Sequence, residues 1–307
     1  MMDPKNLIDK IQILTEHIVI EEIHKGFSSD RIYIIHFDGN EKCILRTSNI
    51  SQSERKKAEY DVISILQKYN IRTSKPIEYG CLADLELCYY ILTYIEGIDA
   101  RDALPSLSQK EQYQIGLDAG KDLKKMHSLP APSNMKPWND RIVAKYTKYL
   151  NAYQTCGVKL AGDDRIINFI EENLHFLKNR PNRFQHDDFH AGNLIVNDKQ
   201  YAGVIDFNRF DWGDPIHDFL KVGLFSKEVS IPFSIGQLDG YFNNEIPDGF
   251  WMLYSIYLAM NIFSSVVWTK NVVPEKLDEM IIRLYGILED HKYFENTKPI
   301  WYEKIQL

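Results

Sequence analysis

The chain has 307 residues, 44% of them hydrophobic and 26% charged, with 36 basic against 43 acidic side chains. At roughly 100–200 residues per domain this length predicts about two domains, and the apolar share excludes a generally disordered chain. A net charge of -7 without a basic cluster excludes nucleic acid as a partner and suits a cationic one better.

Asp3, Lys5, Asp9 and Lys10 interrupt any apolar run at the start, so no secretory signal is expected. Cys43, Cys81, Cys88 and Cys156 form no CxxC pair and fit free thiols in a reducing, cytoplasmic compartment. Three short β-branched runs follow, Ile18 to Ile23, Ile32 to Phe37 and Lys42 to Thr47, and they predict strands. Between the first two lies Lys25-Gly26-Phe27-Ser28-Ser29-Asp30, where Ser28 and Ser29 are candidate phosphate contacts. An ordinary hairpin turn has the same composition. From Ser51 to Ile71, Ala58, Val62, Ile65, Leu66 and Tyr69 recur at helical spacing, predicting one amphipathic helix that ends near Asn70. Runs at Pro76 to Cys81 and Leu87 to Ile95 complete a small sheet. After Glu96-Gly97 the character changes, which divides the chain into residues 1–95 and 96–307.

The second part reads as mostly helical. Ser108-Gln109-Lys110-Glu111 is a capping box, and the helix it starts carries Ile115, Ala119, Leu123 and Met126 inward. Further helices are expected near 140–155, 163–178, 214–225, 247–269 and 274–291. From Phe250 to Thr269 no residue is charged, a length that could cross ~30 Å of hydrocarbon. Ser255, Asn261, Ser264 and Ser265 interrupt that stretch, so it is read as a buried helix and no membrane partner is expected. Trp251, Tyr254, Tyr257 and Trp268 at near-helical spacing are read as core. Before them, NLIVNDKQYAGVIDF has two short apolar strands around a polar turn, a hairpin signal.

Chemistry concentrates between Phe184 and Asp218. His186-Asp187-Asp188 is followed five residues later by Asn193; Asp206 closes the hairpin; Gly213-Asp214-Pro215 precedes Asp218. Phosphoryl transfer from a nucleotide needs a carboxylate to orient an attacking hydroxyl and accept its proton, and oxygen ligands for Mg²⁺. A loop carrying Asp188 and Asn193, with a hairpin returning Asp206 beside them, meets both needs. A metal-dependent hydrolase would instead use His186, Asp187, Asp188 and His190, but it leaves Asn193, the hairpin and Asp206 without a task. His186 is read as a hydrogen-bonded structural residue, and His190 stays open.

These motifs resemble those of the aminoglycoside phosphotransferase family, which carries H-G-D-x-x-x-x-N, an I-D-[FW] strand end and G-D-P-x-x-D, with Asp187 here replacing the usual Gly. The resemblance extends over the whole chain and implies an α+β, two-lobed protein-kinase-like fold. Its small antiparallel N-lobe with one main helix (1–95) would hold ATP or GTP, and its larger helical C-lobe (96–307) the acceptor. It implies Asp188 as catalytic base and Asn193 and Asp206 as Mg²⁺ ligands. Asp214 is similar to a residue that braces the catalytic loop, and Asp218 is either a second brace or a substrate contact. Arg46 stands where the kinase V-A-I-K strand has Lys; Glu59, with Glu54 as fallback, is its expected partner. A surface pairing of Glu59 with Arg55 or Lys56 is the alternative. Thr93, Tyr94 and Ile95 match the family's hinge, where backbone groups meet the purine. An aminoglycoside is the leading acceptor, received by Asp211, Asp214, Asp218, Asp239 and Glu245; macrolides, amino alcohols, homoserine and sugars are alternatives. A pseudokinase module is the non-enzymatic reading, favoured by Arg46 and Asp187. Monomer and dimer are both open.

Overall fold

The computed structural model describes residues 7, 10–14, 19–24, 29–39 and 41–302, and it divides into two compact units, Met1–Glu96 and Gly97–Leu307. Lys25, Gly26, Phe27 and Ser28 lie outside the described residues, so the proposed phosphate loop is represented only by Ser29, which is exposed.

In the first unit, strands β1 (Val19–Ile23), β2 (Arg31–His36), β3 (Lys42–Asn49), β4 (Pro76–Leu82) and β5 (Leu87–Thr93) form one antiparallel sheet. Their order is β1-β2-β3-β5-β4. Alternation splits the sheet into two faces. Tyr33, Ile35, Cys43, Leu45, Tyr89 and Ile91 pack on one side with Leu7, Ile11 and Leu14. Arg46 and its register partner Tyr90 turn to the other, where helix α1 (Ser53–Leu66) supplies Glu59. The buried stripe of α1 is Lys56, Glu59, Val62, Ile63 and Leu66. Ala58 and Ile65 of the expected stripe are exposed, Ile65 by 38%. An ion cluster has displaced the purely apolar register that hydrophobic spacing alone would select.

The second unit contains six further helices of eleven residues or more among the described residues: α2 (Gln109–Met126), α3 (Trp138–Thr155), α4 (Asp163–Asn173), α5 (Ile231–Phe242), α6 (Phe250–Val272) and α7 (Leu277–Asp290). The capping box of α2 is present, with Ser108 and Glu111 bonding each other's backbone amides. Helix α5 has no counterpart among the expected helices. Gly236 and Gly240 weaken its intrinsic propensity, yet they are what seats it. A Cβ on Gly116 would meet the Phe233 carbonyl oxygen, one on Gly120 that of Gln237, one on Gly236 that of Tyr113, and one on Gly240 that of Leu117. Glycines four apart on both helices thus bring α2 and α5 backbone to backbone.

The expected helix at 214–225 is a 3₁₀ segment, Pro215–Phe219, followed by a π turn at Val222–Ser226. Helix α6 is long and apolar enough to span a membrane, and fifteen of its 23 residues are buried within the unit. Two small sheets frame the loop of interest. One pairs β7 (Arg183–Gln185) with β10 (Asp211–Gly213); the other joins β6 (Ile98–Asp99), β8 (Leu194–Asn197) and β9 (Gln200–Val204). The β8–β9 turn, Asp198-Lys199, has both residues at positive φ, as a two-residue hairpin of this hand requires.

Candidate active site

The loop from His186 to Asn193 runs between β7 and β8 and is fixed from beneath by one carboxylate. Asp218 is fully buried and accepts the amides of His186 at 2.8 Å and Asp187 at 2.7 Å. His127 Nε2, at 3.0 Å, holds its Oδ2 as well. Asp218 is therefore the residue that braces the loop directly. Asp214 acts one step back: its carboxylate is held by Arg180 at 2.6 and 3.0 Å and by the Tyr257 hydroxyl at 2.7 Å. Its own carbonyl accepts from Gln185 at the end of β7, at 2.6 Å.

Asp187 explains its own substitution. Its φ is +57°, in the left-handed region where glycine is easiest and Asp is among the tolerated residues. The side chain is then used, its Oδ1 lying 3.1 Å from His217 Nδ1.

Asp188 is the centre of the arrangement. Its Oδ2 accepts from Asn193 Nδ2 at 3.2 Å, and the same nitrogen donates to the Asp188 carbonyl at 2.9 Å. Its Oδ1 faces Lys221 Nζ at 2.9 Å and His190 Nε2 at 3.5 Å. Burial pushes the Asp188 carboxyl up, but Lys221 first, then His190 and Arg209, outweigh it and hold it well below the usual carboxylate range. Burial in turn pushes the His190 imidazole down, against the opposing pull of Asp188. His190 Nδ1 accepts the Gly192 amide at 3.0 Å, which leaves Nε2 as the donor toward Asp188. His186 is structural, with Nε2 donating to the Ile205 carbonyl at 3.0 Å and Nδ1 accepting the Asp188 amide at 3.3 Å.

The hairpin brings Asp206 to this loop through backbone pairing. Leu194 pairs with Val204, and the Ile205 amide donates to the Asn193 carbonyl at 3.0 Å, one residue before Asp206. Asp206 has φ +65° and ψ +67°, a bend two residues past the end of β9. The donor chemistry of this pair fits Mg²⁺. With Nδ2 of Asn193 turned to Asp188, its carbonyl oxygen is the free end of the amide, and Asp206 adds a carboxylate; phosphate and water oxygens complete such a shell. No cluster of three His, Cys, Asp or Glu placed to hold a metal occurs among the described residues.

The carboxylates expected to receive a cationic acceptor are engaged elsewhere. Arg141 grips Asp211 at 2.9 and 3.0 Å. Asp214 and Asp218 are buried braces, and Asp239 accepts from the Tyr113 and Tyr302 hydroxyls at 2.9 and 3.4 Å. Of the five, only Glu245 is a plainly exposed carboxylate on a turn. A lone sequence does not show which Arg, His or Tyr each Asp will meet.

In the first unit, Arg46 Nη1 meets Glu59 Oε1 at 3.2 Å, and Glu54 is exposed and takes no part. The Tyr90 hydroxyl donates to the same Oε1 at 2.7 Å. Lys56, also buried, bridges Glu59 Oε2 at 3.1 Å and Asp30 Oδ2 at 2.6 Å, while the Ser48 hydroxyl donates to Asp30 Oδ1 at 2.6 Å. The expected Arg46 partner and the alternative Lys56 pairing are thus both present, and the latter is buried, not superficial. At the proposed hinge the Thr93 amide donates to the Lys75 carbonyl at 2.9 Å and the Tyr94 amide to that of Lys42 at 3.3 Å. Ile95 follows, half-buried.

Sequence reasoning missed Lys221, and it read Lys56 only as a surface partner of Glu59. Lys221 stands three residues after Asp218, and nothing in its neighbours marks it; Lys56 sits in a charged run, SERKKAE, of surface appearance. Only packing separates them from ordinary lysines.

The family model described as "Phosphotransferase enzyme family" matches residues 19–250. No curated protein matches the chain. Among solved structures, the chain is similar to a thermostable mutant of aminoglycoside phosphotransferase APH(4)-Ia in ternary complex with ADP and hygromycin B. The TM-score is 0.66 at 13% identity, covering 92% of this chain and 97% of that one. It is also similar to ADP-bound APH(2'')-Ib, with TM-score 0.63, 17% identity and coverage of 93% and 99%. The gentamicin complex of APH(2'')-IIa gives 0.63, 20% identity and coverage of 93% and 96%. With the family model spanning well over half its length, the chain belongs to the phosphotransferase enzyme family and has the kinase-like α+β fold of the aminoglycoside phosphotransferases.

Proposed function

We propose that the protein transfers the γ-phosphate of ATP or GTP to a hydroxyl of a small molecule, with Asp188 as the catalytic base. The observation that carries this reading is the meeting of Asp188, Asn193 and the Ile205–Asp206 strand end at one braced loop. Asp188, kept ionised by Lys221, would orient the acceptor hydroxyl and take its proton as the O–P bond forms. Asn193 and Asp206 would hold Mg²⁺, which would supply positive charge to offset that of the phosphates. Arg46, paired with Glu59, is the proposed phosphate contact of the first unit. Thr93, Tyr94 and Ile95 are the proposed purine contacts. The ADP held by two of the fold neighbours supports a nucleotide donor.

Acceptor identity is a finer matter. Hygromycin B and gentamicin in the neighbours support aminoglycosides as the first class to assay, although at 13% and 20% identity that likeness reaches only the fold. The test is phosphate transfer from labelled ATP and GTP, with and without Mg²⁺. Asp206→Ala should weaken Mg²⁺-nucleotide binding by tenfold or more. Unchanged Mg²⁺ dependence in that variant contradicts the ligand assignment, and binding without turnover on any acceptor supports the pseudokinase reading.

A further inference from the structure

Two of the four cysteines are direct cross-strand neighbours in the first unit. Cys81 on β4 and Cys88 on β5 are register partners, one step before Leu82 and Leu87, where the chain turns between the two strands. Residues directly opposed across an antiparallel pair project from the same face, with Cα atoms about 4.5 or 5.5 Å apart. A disulfide needs roughly 4.4–6.8 Å between the same atoms, so either kind of opposed pair lies within its reach with the backbone in place. Side-chain contacts agree on the face. The Tyr79 hydroxyl, two residues before Cys81, donates to the Ser53 carbonyl at the start of α1 at 2.9 Å, and Cys81 Sγ lies 3.7 Å from that hydroxyl. Cys88 is two residues before Tyr90, on the face that Tyr90 turns to Glu59.

The two thiols differ as the two members of a redox pair must. Cys81 is exposed on β4, an edge strand of the sheet. Cys88 is fully buried, its Sγ 3.5 Å from the Asn49 carbonyl and 3.7 Å from that of Ser48. Burial first, and then Cys81, push the Cys88 thiol up, so Cys81 is the sulfur that an oxidant arriving from water meets. Cys43, the remaining cysteine of the first unit, is buried on the opposite face of the sheet. Cys156 belongs to the second unit, where its Sγ lies 3.8 Å from the Val158 carbonyl.

We propose that Cys81 and Cys88 form a reversible oxidation site that takes a hydroperoxide as its oxidant. The Cys81 sulfur attacks the peroxide; its S–O bond forms as the O–O bond breaks, leaving Cys81 as a sulfenic acid and releasing one water from hydrogen peroxide. The Cys88 sulfur then attacks Cys81; the S–S bond forms, the S–O bond breaks, and the hydroxyl leaves as a second water with the Cys88 thiol proton. The two thiols together lose two electrons and the peroxide gains them. Cys88 has only to rotate from the Ser48 and Asn49 carbonyls toward its strand neighbour. The bond keeps Cys81 from the irreversible sulfinic acid, and a thiol reductant reverses it by exchange at the exposed sulfur.

The experiment treats the folded full chain with hydrogen peroxide, alkylates the remaining thiols in denaturant, and reads fragment masses. Cleavage after Glu78, Glu86 and Glu96 places the two cysteines in separate fragments, so a linked pair identifies the bond. The linked pair should weigh about 2 Da less than the two thiol fragments together, and two of the four thiols should remain for alkylation. The rate should not depend on protein concentration, and dithiothreitol should restore all four thiols. Cys81→Ser, at an exposed position, should abolish the linked pair and leave Cys88 a thiol. Cys88→Ala should instead carry Cys81 to its sulfenic and sulfinic acids, gains of about 16 and 32 Da. Sulfinic acid at Cys81 beside a free Cys88 in the wild type, a bond to Cys43 or Cys156, or a bond between two chains would each overturn the proposal. So would four unchanged thiols at a peroxide concentration that oxidises free cysteine. Should Cys88→Ala not fold, the wild type and Cys81→Ser decide between them.

Discussion

At residue 187 the chain has Asp where the resemblance implies Gly, in a left-handed backbone conformation that suits Gly. The position demands a left-handed backbone, and Asp satisfies it at little strain while gaining His217 as a partner. Asp187→Gly should therefore stay within about 1 kcal/mol of wild-type stability, whereas Asp187→Val should lose about 1–3 kcal/mol to backbone strain. Urea unfolding of the two variants measures the difference; equal midpoints would remove backbone conformation as the reason for the motif. The same residue shows why the pseudokinase argument from Asp187 is weak. A substitution that preserves the loop's dihedral leaves the two amides on Asp218 and the base itself in place.

Among the elements, the pairing of α2 with α5 and the start of α2 make the sharpest claims. A methyl group at Gly120 would press on the Gln237 carbonyl, which belongs to a neighbouring backbone and cannot rotate away. Gly120→Ala should destabilise by roughly 1–3 kcal/mol, against the usual gain from replacing a helical glycine with alanine, and a raised melting temperature would refute the close approach. At the N-terminus of α2, the Ser108 amide, then its hydroxyl, then the Lys199 ammonium lower the Glu111 carboxyl from 4.5 to about 2. A folded-state value below the unfolded one stabilises fully above the ordinary carboxylate range and is lost as pH falls toward about 2. Glu111→Gln should thus lower stability near pH ~6 and narrow the gap from wild type near pH ~3. A constant gap between the two would contradict the cap's electrostatic part.

These elements also show what could be read beforehand. The capping box, the hairpin and the strand-rich first part were legible because each depends on neighbours in sequence. Helix α5 was not, since its glycines count against a helix until a second helix with matching glycines lies against them. The segment after Asp214 resembled a helix by composition but is broken into 3₁₀ and π turns, with Asp214 capping the Ile216 amide at 3.1 Å and Asp218 drawn to the loop amides. The α1 stripe shifted because Lys56 and Glu59 turn inward to Asp30 and Arg46, a compensation that hydrophobic periodicity does not register.

For the molecule as a whole, the loop and hairpin that carry Asp188, Asn193 and Asp206 were legible from their spacing, whereas their electrostatic setting was not. Lys221, Arg141, Arg180 and His127 come from four separate segments and meet their carboxylates only in the folded unit. The expectation of an acidic acceptor face rested on net charge, a quantity that says nothing about which charges are paired. The central proposal is that Asp188 accepts the proton of the acceptor hydroxyl. Its most direct test is Asp188→Asn, an isosteric change, with kcat for phosphate release or transfer and Kd for Mg²⁺-ATP measured on the same preparation. The structure leads us to expect kcat lower by roughly 10²–10⁴ with Kd within about threefold of wild type. Equal kcat in the two proteins would contradict the account.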